Sequence, residues 1–399
     1  MIKKQEIDEI LEKYDKSNIT IGILGSHSAL DICSGAKKHG FKTLVVCQKG
    51  REKTYDKYFK SREGKGVVDE TIILNKFSEI TNPEIIEEMQ NKNTIFLPHR
   101  SFEVYVGFEK IENEFKVPIF GSRNLLRAEE RYVENNQYDL MEKGGIPYPK
   151  VYKLQEGRPL FEGMEVEHPL SPLGIDRLVI VKVAEAQRPY ERAFFFASSA
   201  VEYHRKSEEL IKQGKITREA LEEAVIEEFI DGTQFNLNFF YSPVNDELEL
   251  IGTDTRRQTN LDGILRLPAP QQNDLLKYKG IQAIEAGHIA CTIKESLLEQ
   301  VFELGEKFVK IAKQEYPPGI IGPFALQCAL TPGPPKEKFF CFDISMRVQG
   351  SPGTKFTPYS GYLYKDTMSV GERVALEIKN AIEKDKNAPG KNCLEKIVT

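Results

Sequence analysis

The stretch from residue 317 to 350, PPGIIGPFALQCALTPGPPKEKFFCFDISMRVQG, constrains the fold more than any other part of the chain. Two apolar runs, 324–330 and 339–344, flank a Pro/Gly/Lys connection, and that pattern predicts a β-hairpin with a longish loop. Each run carries one oxygen-bearing side chain out of keeping with its neighbours, Gln327 in the first and Asp343 in the second. A hairpin symmetric about residue 335 sets these two opposite each other on one face of the sheet. An amide oxygen and a carboxylate then converge, with Arg347 a short way beyond. Mg²⁺ takes oxygen ligands, with the protein supplying one or two and phosphates and water the rest. The plainer reading has Asp343 bonded locally and Gln327 on a solvated face. An isolated Asp inside FFCFDI is costly to bury without a partner, which favours the metal reading.

The rest of the chain has to supply what that hairpin would serve. Its 399 residues suggest two or three domains. A net charge of −5 argues against a general nucleic-acid surface, though not against local basic pockets for phosphate. No apolar run approaches the roughly 20 residues of a membrane helix, so no membrane partner is expected. The opening MIKKQEIDEILEKY is charged and amphipathic and lacks a signal-peptide core. Six scattered cysteines without a CxxC pair fit reduced, packing thiols of a cytoplasmic protein.

Residues 1–125 read as a first domain. Residues 19–24 form a short buried-strand run, Gly25-Ser26-His27-Ser28 a turn, 29–38 a helix and 41–47 the next strand. This is a βαβ unit whose turn sits at a helix N-terminus, suited to a phosphate monoester. The turn is not GxGxxG, so no dinucleotide is implied. A second strand ends at Pro98, just before His99, Arg100 and Ser101. Ligands bind beyond the carboxyl ends of strands in such sheets, so Ser26, His27, His99, Arg100 and Ser101 are candidates for one crevice.

Residues 125–143 read as one helix closed by Gly144-Gly145, and Ile-Pro-Tyr-Pro then leads into new territory. Lys182 is the charged member of a strand at 178–183; it either reaches phosphate as a point charge or snorkels to solvent. Arg188 and Arg192 bracket a turn in 184–193 that is either a phosphate-closing loop or a plain surface hairpin. Glu227, Glu228, Phe229 and Ile230 lie on a strand able to offer main-chain groups to a purine edge. Arg256, Arg257 and Gln258 form a polar cluster, in which two adjacent strand arginines face opposite sides. A long helix over 294–314 precedes the hairpin, a Gly/Pro/Ser/Tyr-rich loop follows it at 350–364, and a final helix spans 369–383. The last ~15 residues are polar and are expected to fray.

Several long blocks carry a resemblance over nearly the whole chain: IGILGSHSALDI (21–32), VPIFGSRNLLR (117–127), NLDGILRLPA (260–269), IKESLL (293–298) and PPGIIGPFALQ (317–327). With them the chain resembles the archaeal formate-dependent FAICAR synthetases of purine biosynthesis, which are ATP-grasp enzymes. The resemblance implies an α/β protein with α+β lobes. It would have a Rossmann-like pre-ATP-grasp domain (1–125), a linker helix and small lobe (126–230) and a large lobe with the metal site (231–399). It implies a ligase that uses ATP and formate to convert the aminoimidazole carboxamide ribotide AICAR to FAICAR, with Mg²⁺, as a homo-oligomer. Gln327 and Asp343 match the Mg²⁺ positions, the second being Glu in many relatives. Lys182 matches the phosphate lysine, residues 227–230 the adenine-side strand, and Gln258 an ATP-associated position. His27 and Ser101 match ribotide-binding turns, and His288 a ribotide-associated position. Lys182, Arg347 and His27 are the expected catalytic set.

Two departures stand out. The loop after Lys182 is AEAQRPYERA where some relatives are glycine-rich. After Arg347 the chain reads QGSPGTK, with Lys355 where the family pattern has Asn. They keep two other readings open: a related ligase joining another acid and amine, and a nucleotide-binding protein without catalysis.

Overall fold

The computed structural model describes residues 1–131, 133–155, 158–160, 175, 177–183, 194–222, 224–278, 281–333, 335–388 and 390–399. Three sheets organise them. In the first, β1 (Thr20–Leu24), β2 (Lys42–Gln48), β3 (Glu70–Leu74) and β4 (Thr94–Leu97) run parallel in the order β3-β2-β1-β4. β1, apolar after its first residue Thr20, is buried along its whole length, as a parallel strand covered on both faces must be. The helix Ala29–Lys38 connects β1 to β2, as the βαβ pattern anticipates. β3 is a strand that the sequence reading did not single out. Residues 117–120 make only single bridges, Ile119 with Phe96 and Phe120 with Val398. Strand order reverses between β1 and β4, so the crevice of this sheet opens beyond Leu24 and Leu97.

The second sheet is antiparallel, built from β10 (Thr233–Ser242), β11 (Glu247–Thr259), β12 (Ala283–Cys291), β13 (Gly322–Thr331) and β14 (Lys338–Ser345), in the order β12-β11-β10-β13-β14. The third, between them in sequence, comprises β5 (Val151–Gln155), β6 (Arg158–Leu160), β7 (Val179–Lys182), β8 (Phe194–Ala197) and β9 (Val225–Glu228), in the order β6-β5-β9-β7-β8. Its small core includes Tyr152, Val179, Val181, Phe195, Tyr203 and Ile226.

The helix Val370–Asn387 returns to pack on Ala29–Lys38. The two cross where neither has a side chain. A Cβ on Gly35 would lie 2.3 Å from the carbonyl carbon of Gly371, and one on Gly371 would lie 2.4 Å from the carbonyl oxygen of Asp31. One apolar cluster therefore runs from Ile21 and Val45 of the first sheet through Val374 and Ile378 to Phe240 and Ile251 of the second.

The structure corrects two expectations about elements. The single helix over 125–143 is a 3₁₀ helix, Arg123–Glu129, then a break, then an α-helix, Gln137–Gly144, capped by Asn136. The last residues do not fray. Leu394, Ile397 and Val398 are fully buried, and Thr399 pairs through its backbone with Ile119. The four apolar residues of CLEKIVT outweigh its polar appearance because they complete the core of the first sheet.

Candidate active site

The hairpin has the register that its sequence symmetry demands: Gln327 is the cross-strand partner of Asp343. Gln327 Nε2 donates to Asp343 Oδ2 at 2.8 Å, and Ser345 Oγ lies 3.4 Å from the same nitrogen. A register shift follows at once, with Cys328 facing Cys341, so Phe342 is the extra residue of a bulge. Its carbonyl accepts a hydrogen bond from Lys182 Nζ at 3.0 Å. The bulge thus brings the lysine of the third sheet beside the carboxylate of the second.

Lys182 does not snorkel. It is 5 % exposed and bonds Glu227 Oε1 at 2.5 Å, while Tyr138 Oη donates to Glu227 Oε2 at 2.7 Å. Burial lowers the pKa of the ammonium, with Glu227 opposing that shift and Arg131 reinforcing it. Glu227 therefore spends its carboxylate on Lys182 and Tyr138. Glu228 points to the other face and pairs with Arg177 at 2.6 Å. β9 ends at Glu228, so Phe229 and Ile230 lie just past it; Phe229 donates its N–H to the Leu178 carbonyl and packs edge-on against Phe196. Gln258 lies farther along β11, where its amide donates to Gln234 Oε1 at 3.2 Å.

A second cluster fills the crevice beyond β1 and β4. His27 stacks on His99 with ring centroids 5.3 Å apart, and Ser101 Oγ donates to Ser26 Oγ at 3.0 Å. His99 is fully buried; one ring nitrogen meets the Leu24 carbonyl at 2.9 Å and Nδ1 accepts from the Ser101 N–H, which fixes one neutral tautomer. Burial lowers its pKa to about 4. His27 is exposed on the cleft side, with His99 stacked against its ring and Ser28 beside Nδ1. Desolvation first, then His99, Arg347, His288 and Arg256, hold its pKa well below the ordinary histidine range. Gly350 lies against this ring, since a Cβ there would come within 2.8 Å of it, and Ser28 Oγ donates to the Gln349 carbonyl at 2.7 Å. Residues 349–351 of the departed QGSPGTK run thus form a wall of the cleft, while Lys355 is exposed.

Arg347 stands beside them, held by Glu129 at 3.1 Å and Glu103 at 3.7 Å. Both acids are buried. Desolvation pushes the Glu129 carboxyl up to about 8, with Glu103 adding to the shift and Arg347 opposing it. The Glu103 carboxyl moves up for the same first reason.

The two clusters are joined by one row across the second sheet. Asp254 faces Asn236, Asn236 faces Gln327, and Gln327 faces Asp343. His288 is anchored at the far end of that row by the contact of its Nδ1 with Asp254 Oδ2. Of the two adjacent arginines, Arg257 turns away to pair with Asp262 at 2.8 Å, and Arg256 lies on the side of His27.

Several residues here were not foreseen. Arg131 Nη2 bonds Asp343 Oδ1 at 3.0 Å. It occupies the break in the expected helix, so the periodic reading hid it. Glu129 and Tyr138 looked like ordinary positions of one helical run, and Glu103 lay in a stretch to which no element was assigned. Asp254 had a visible signal, a carboxylate inside the strand LIGTDT. Arg188 and Arg192 lie outside the described residues. Among the described residues no cluster of three His, Cys, Asp or Glu side chains has a metal-binding arrangement, so a cation here would rely on the Gln327–Asp343 pair.

Residues 21–152 match a family described as a protein of unknown function (DUF1246), and residues 202–399 match a domain of unknown function (DUF1297). A 5-formaminoimidazole-4-carboxamide-1-(beta)-D-ribofuranosyl 5'-monophosphate synthetase from Methanocaldococcus jannaschii is 41% identical, over 96% of this chain and 98% of that protein. The crystal structure of an IMP biosynthesis protein, PurP, from Thermococcus kodakaraensis superposes with a TM-score of 0.66 at 28% identity, covering 95% of this chain and 100% of the other. An ADP complex of the N5-carboxyaminoimidazole ribonucleotide synthetase PurK shares the fold, with a TM-score of 0.55 at 10% identity over 88% of this chain and 79% of the other.

Proposed function

The chain belongs to the 5-formaminoimidazole-4-carboxamide-1-(beta)-D-ribofuranosyl 5'-monophosphate synthetase family and has an ATP-grasp α/β fold with a Rossmann-like N-terminal domain, and from that premise we propose that it formylates AICAR with ATP and formate. It is a carbon–nitrogen ligase of purine biosynthesis. The observation that carries the reading at this site is the meeting of Lys182 with the carbonyl of Phe342, one residue from Asp343 and across from Gln327. A buried cation and an oxygen pair, brought together from two sheets, suit a nucleotide triphosphate lying between them.

A formate oxygen attacks the γ-phosphorus and ADP leaves, giving formyl phosphate; the ribotide amine then attacks the formyl carbon, phosphate leaves with the C–O bonding pair, and the nitrogen gives up a proton. The protein's part is positioning and charge neutralisation. Lys182 and Arg347 spread the negative charge that develops on the transferring phosphoryl group. Glu129 and Glu103 hold Arg347 toward the cleft. His27 is neutral and orients the ribotide, with Ser101 and His288 completing its pocket. The strand end at 227–230 offers main-chain groups to the adenine, and Gln258 lies toward the nucleotide. Gln327 and Asp343 fit Mg²⁺: rotation of the Gln327 amide presents Oε1 in place of Nε2, so two oxygens face one point, and few protein ligands are what this ion takes beside phosphates. When bound, the ion neutralises phosphate charge. The functional division is 1–125 for the ribotide, 126–230 for the small lobe and 231–399 for the metal-bearing lobe, assembled as a homo-oligomer.

The test is ADP release by purified protein given Mg-ATP and AICAR, with and without formate, with the product weighed by mass spectrometry. Formate-dependent ADP release and a product one formyl group heavier are expected. Asp343→Ala should abolish turnover without unfolding the chain; near-normal turnover with ordinary Mg²⁺ dependence would refute the metal assignment. ADP release that ignores formate but follows another acid would establish a different ligase.

A further inference from the structure

Asp343 meets two donors of different kinds. Gln327 Nε2 donates to its Oδ2 at 2.8 Å, and Arg131 Nη2 donates to its Oδ1 at 3.0 Å. For a metal ion to reach this carboxylate both donors must give way, and only one can do so in place. The Gln327 amide turns over and offers an oxygen where its nitrogen was. A guanidinium carries donors alone, so Arg131 has to leave.

The charges agree. Lys182 pairs with Glu227 and Arg131 with Asp343, so two cations balance two carboxylates. Burial works against the charge on Arg131, while Asp343, Tyr138 and Glu227, in that order, favour it. A divalent ion arriving alone would add two positive charges to this balanced set, where water screens them poorly. The same ion arriving with a polyphosphate brings negative charge of its own, and that charge also gives the guanidinium a new partner.

Arg131 is held as a side chain that can move. Two other arginines show what a fixed one looks like. Arg123 gives its two Nη atoms to the carbonyls of Ile111, Phe115, Val117 and Thr399, and Arg373 pairs with both Glu249 and Glu377; each is buried. The Arg131 side chain is 27 % exposed and its carboxylate partner 25 %. Its Nε is buried with no hydrogen-bond partner among the described residues. Its backbone, in contrast, is anchored: Asn136 Nδ2 donates to the Arg131 carbonyl at 3.2 Å, and the same side chain caps the helix Gln137–Gly144. The pivot is rigid and the guanidinium at its end is incompletely tied.

We propose that Arg131 holds the cation position at Asp343 before nucleotide binds, and so excludes free divalent metal until the nucleotide's phosphates draw the guanidinium away. Metal and nucleotide then enter together. This rests on the reading of Gln327 and Asp343 as cation ligands.

Two titrations of the full chain test it, with Mn²⁺ alone followed by electron paramagnetic resonance, and with ATP in EDTA followed by calorimetry. Arg131→Gln should bind Mn²⁺ roughly tenfold or more tightly than the unsubstituted protein, and Arg131→Met should show the same gain. Asp343→Ala added to Arg131→Gln should remove it. Metal-free ATP should bind Arg131→Gln roughly tenfold more weakly. An arginine that only supports the fold would weaken both ligands when lost, so the opposite signs identify the exchange; urea midpoints show that the variants remain folded. Mn²⁺ affinity unchanged or lowered in both neutral variants would overturn the proposal, as would metal-free ATP binding that ignores Arg131. If the unsubstituted protein already binds Mn²⁺ tightly, and Asp343→Ala abolishes this while Arg131→Gln does not alter it, the metal assignment stands and the role of Arg131 falls. If Arg131→Gln gains affinity that Asp343→Ala leaves intact, the ion sits elsewhere, and the metal assignment falls together with this inference.

Discussion

Lys182 and Glu227 are buried together, 5 % and 2 % exposed, and neither is stable there alone. Removing one partner of a buried pair strands the other charge, at a cost of about 3–5 kcal/mol, whereas replacing both can be nearly neutral. Lys182→Met should therefore destabilise the chain by that amount in urea unfolding. Adding Glu227→Gln should restore most of the stability but none of the ATP turnover. If the double variant regained turnover, the lysine would have no role toward phosphate. Glu129 makes a second residue-scale prediction. Its folded-state pKa of about 8 lies above the ordinary Glu value, so the folded state binds a proton that the unfolded chain has lost. The sign follows: this contribution is full below about pH 4.3 and fades as pH rises through 8, with a slope of at most ~1.4 kcal/mol per pH unit. Glu129→Gln, which imitates the protonated acid, should flatten the pH dependence of the urea midpoint between about pH 5 and 8. An unchanged slope would mean that Glu129 stays ionised against Arg347.

The elements act through their irregularities. The bulge at Phe342 exposes a backbone carbonyl to Lys182, and the break after Glu129 frees Arg131 to reach Asp343. The segment from Cys393 to Thr399 closes the core beside Phe120, where Thr399 also bonds Arg123. Leu394→Ala should cost about 2–5 kcal/mol, as in other fully buried positions. A melting temperature unchanged by that substitution would return this segment to the frayed state that its polarity suggests. These cases mark how far the sequence could be read. Local signals sufficed where the chemistry is local: the Gln327–Asp343 register follows from hairpin symmetry, and the turn bearing His27 from a βαβ pattern. Arg131 and Glu129 act through partners 212 and 218 positions distant, and no periodicity encodes such pairings. The terminal segment misled because four apolar residues among seven look weak until a sheet edge awaits them.

At the scale of the molecule, the proposed site exists only where three sheets meet. The first supplies His27, His99 and Ser101, and the second supplies Gln327, Asp343, Asp254 and His288. The third supplies Lys182 and Glu227. The first two are welded by one apolar cluster and by the buried Arg373, which bonds Glu249 of β11 at 2.6 Å and Glu377 of its own helix at 3.0 Å. The third sheet has a core of its own, and its described polar ties to the second run through few points, among them Lys182 on Phe342 and the Cys341 N–H on the Pro147 carbonyl just before β5. A lobe held this way opens more readily than the welded pair. A nucleotide gripped by both sides adds contacts that only the closed arrangement offers, so binding shifts the population toward closure. Hydrogen exchange should therefore slow in β7 and β9 on addition of Mg-ATP, and much less in β1 and β2, which are already buried in the weld. Asp343→Ala should remove most of that protection while leaving the exchange of the ligand-free chain unchanged. Equal protection of all three sheets would mean that the lobes already move as one body, and that Lys182 waits in place for the phosphates instead of being carried to them.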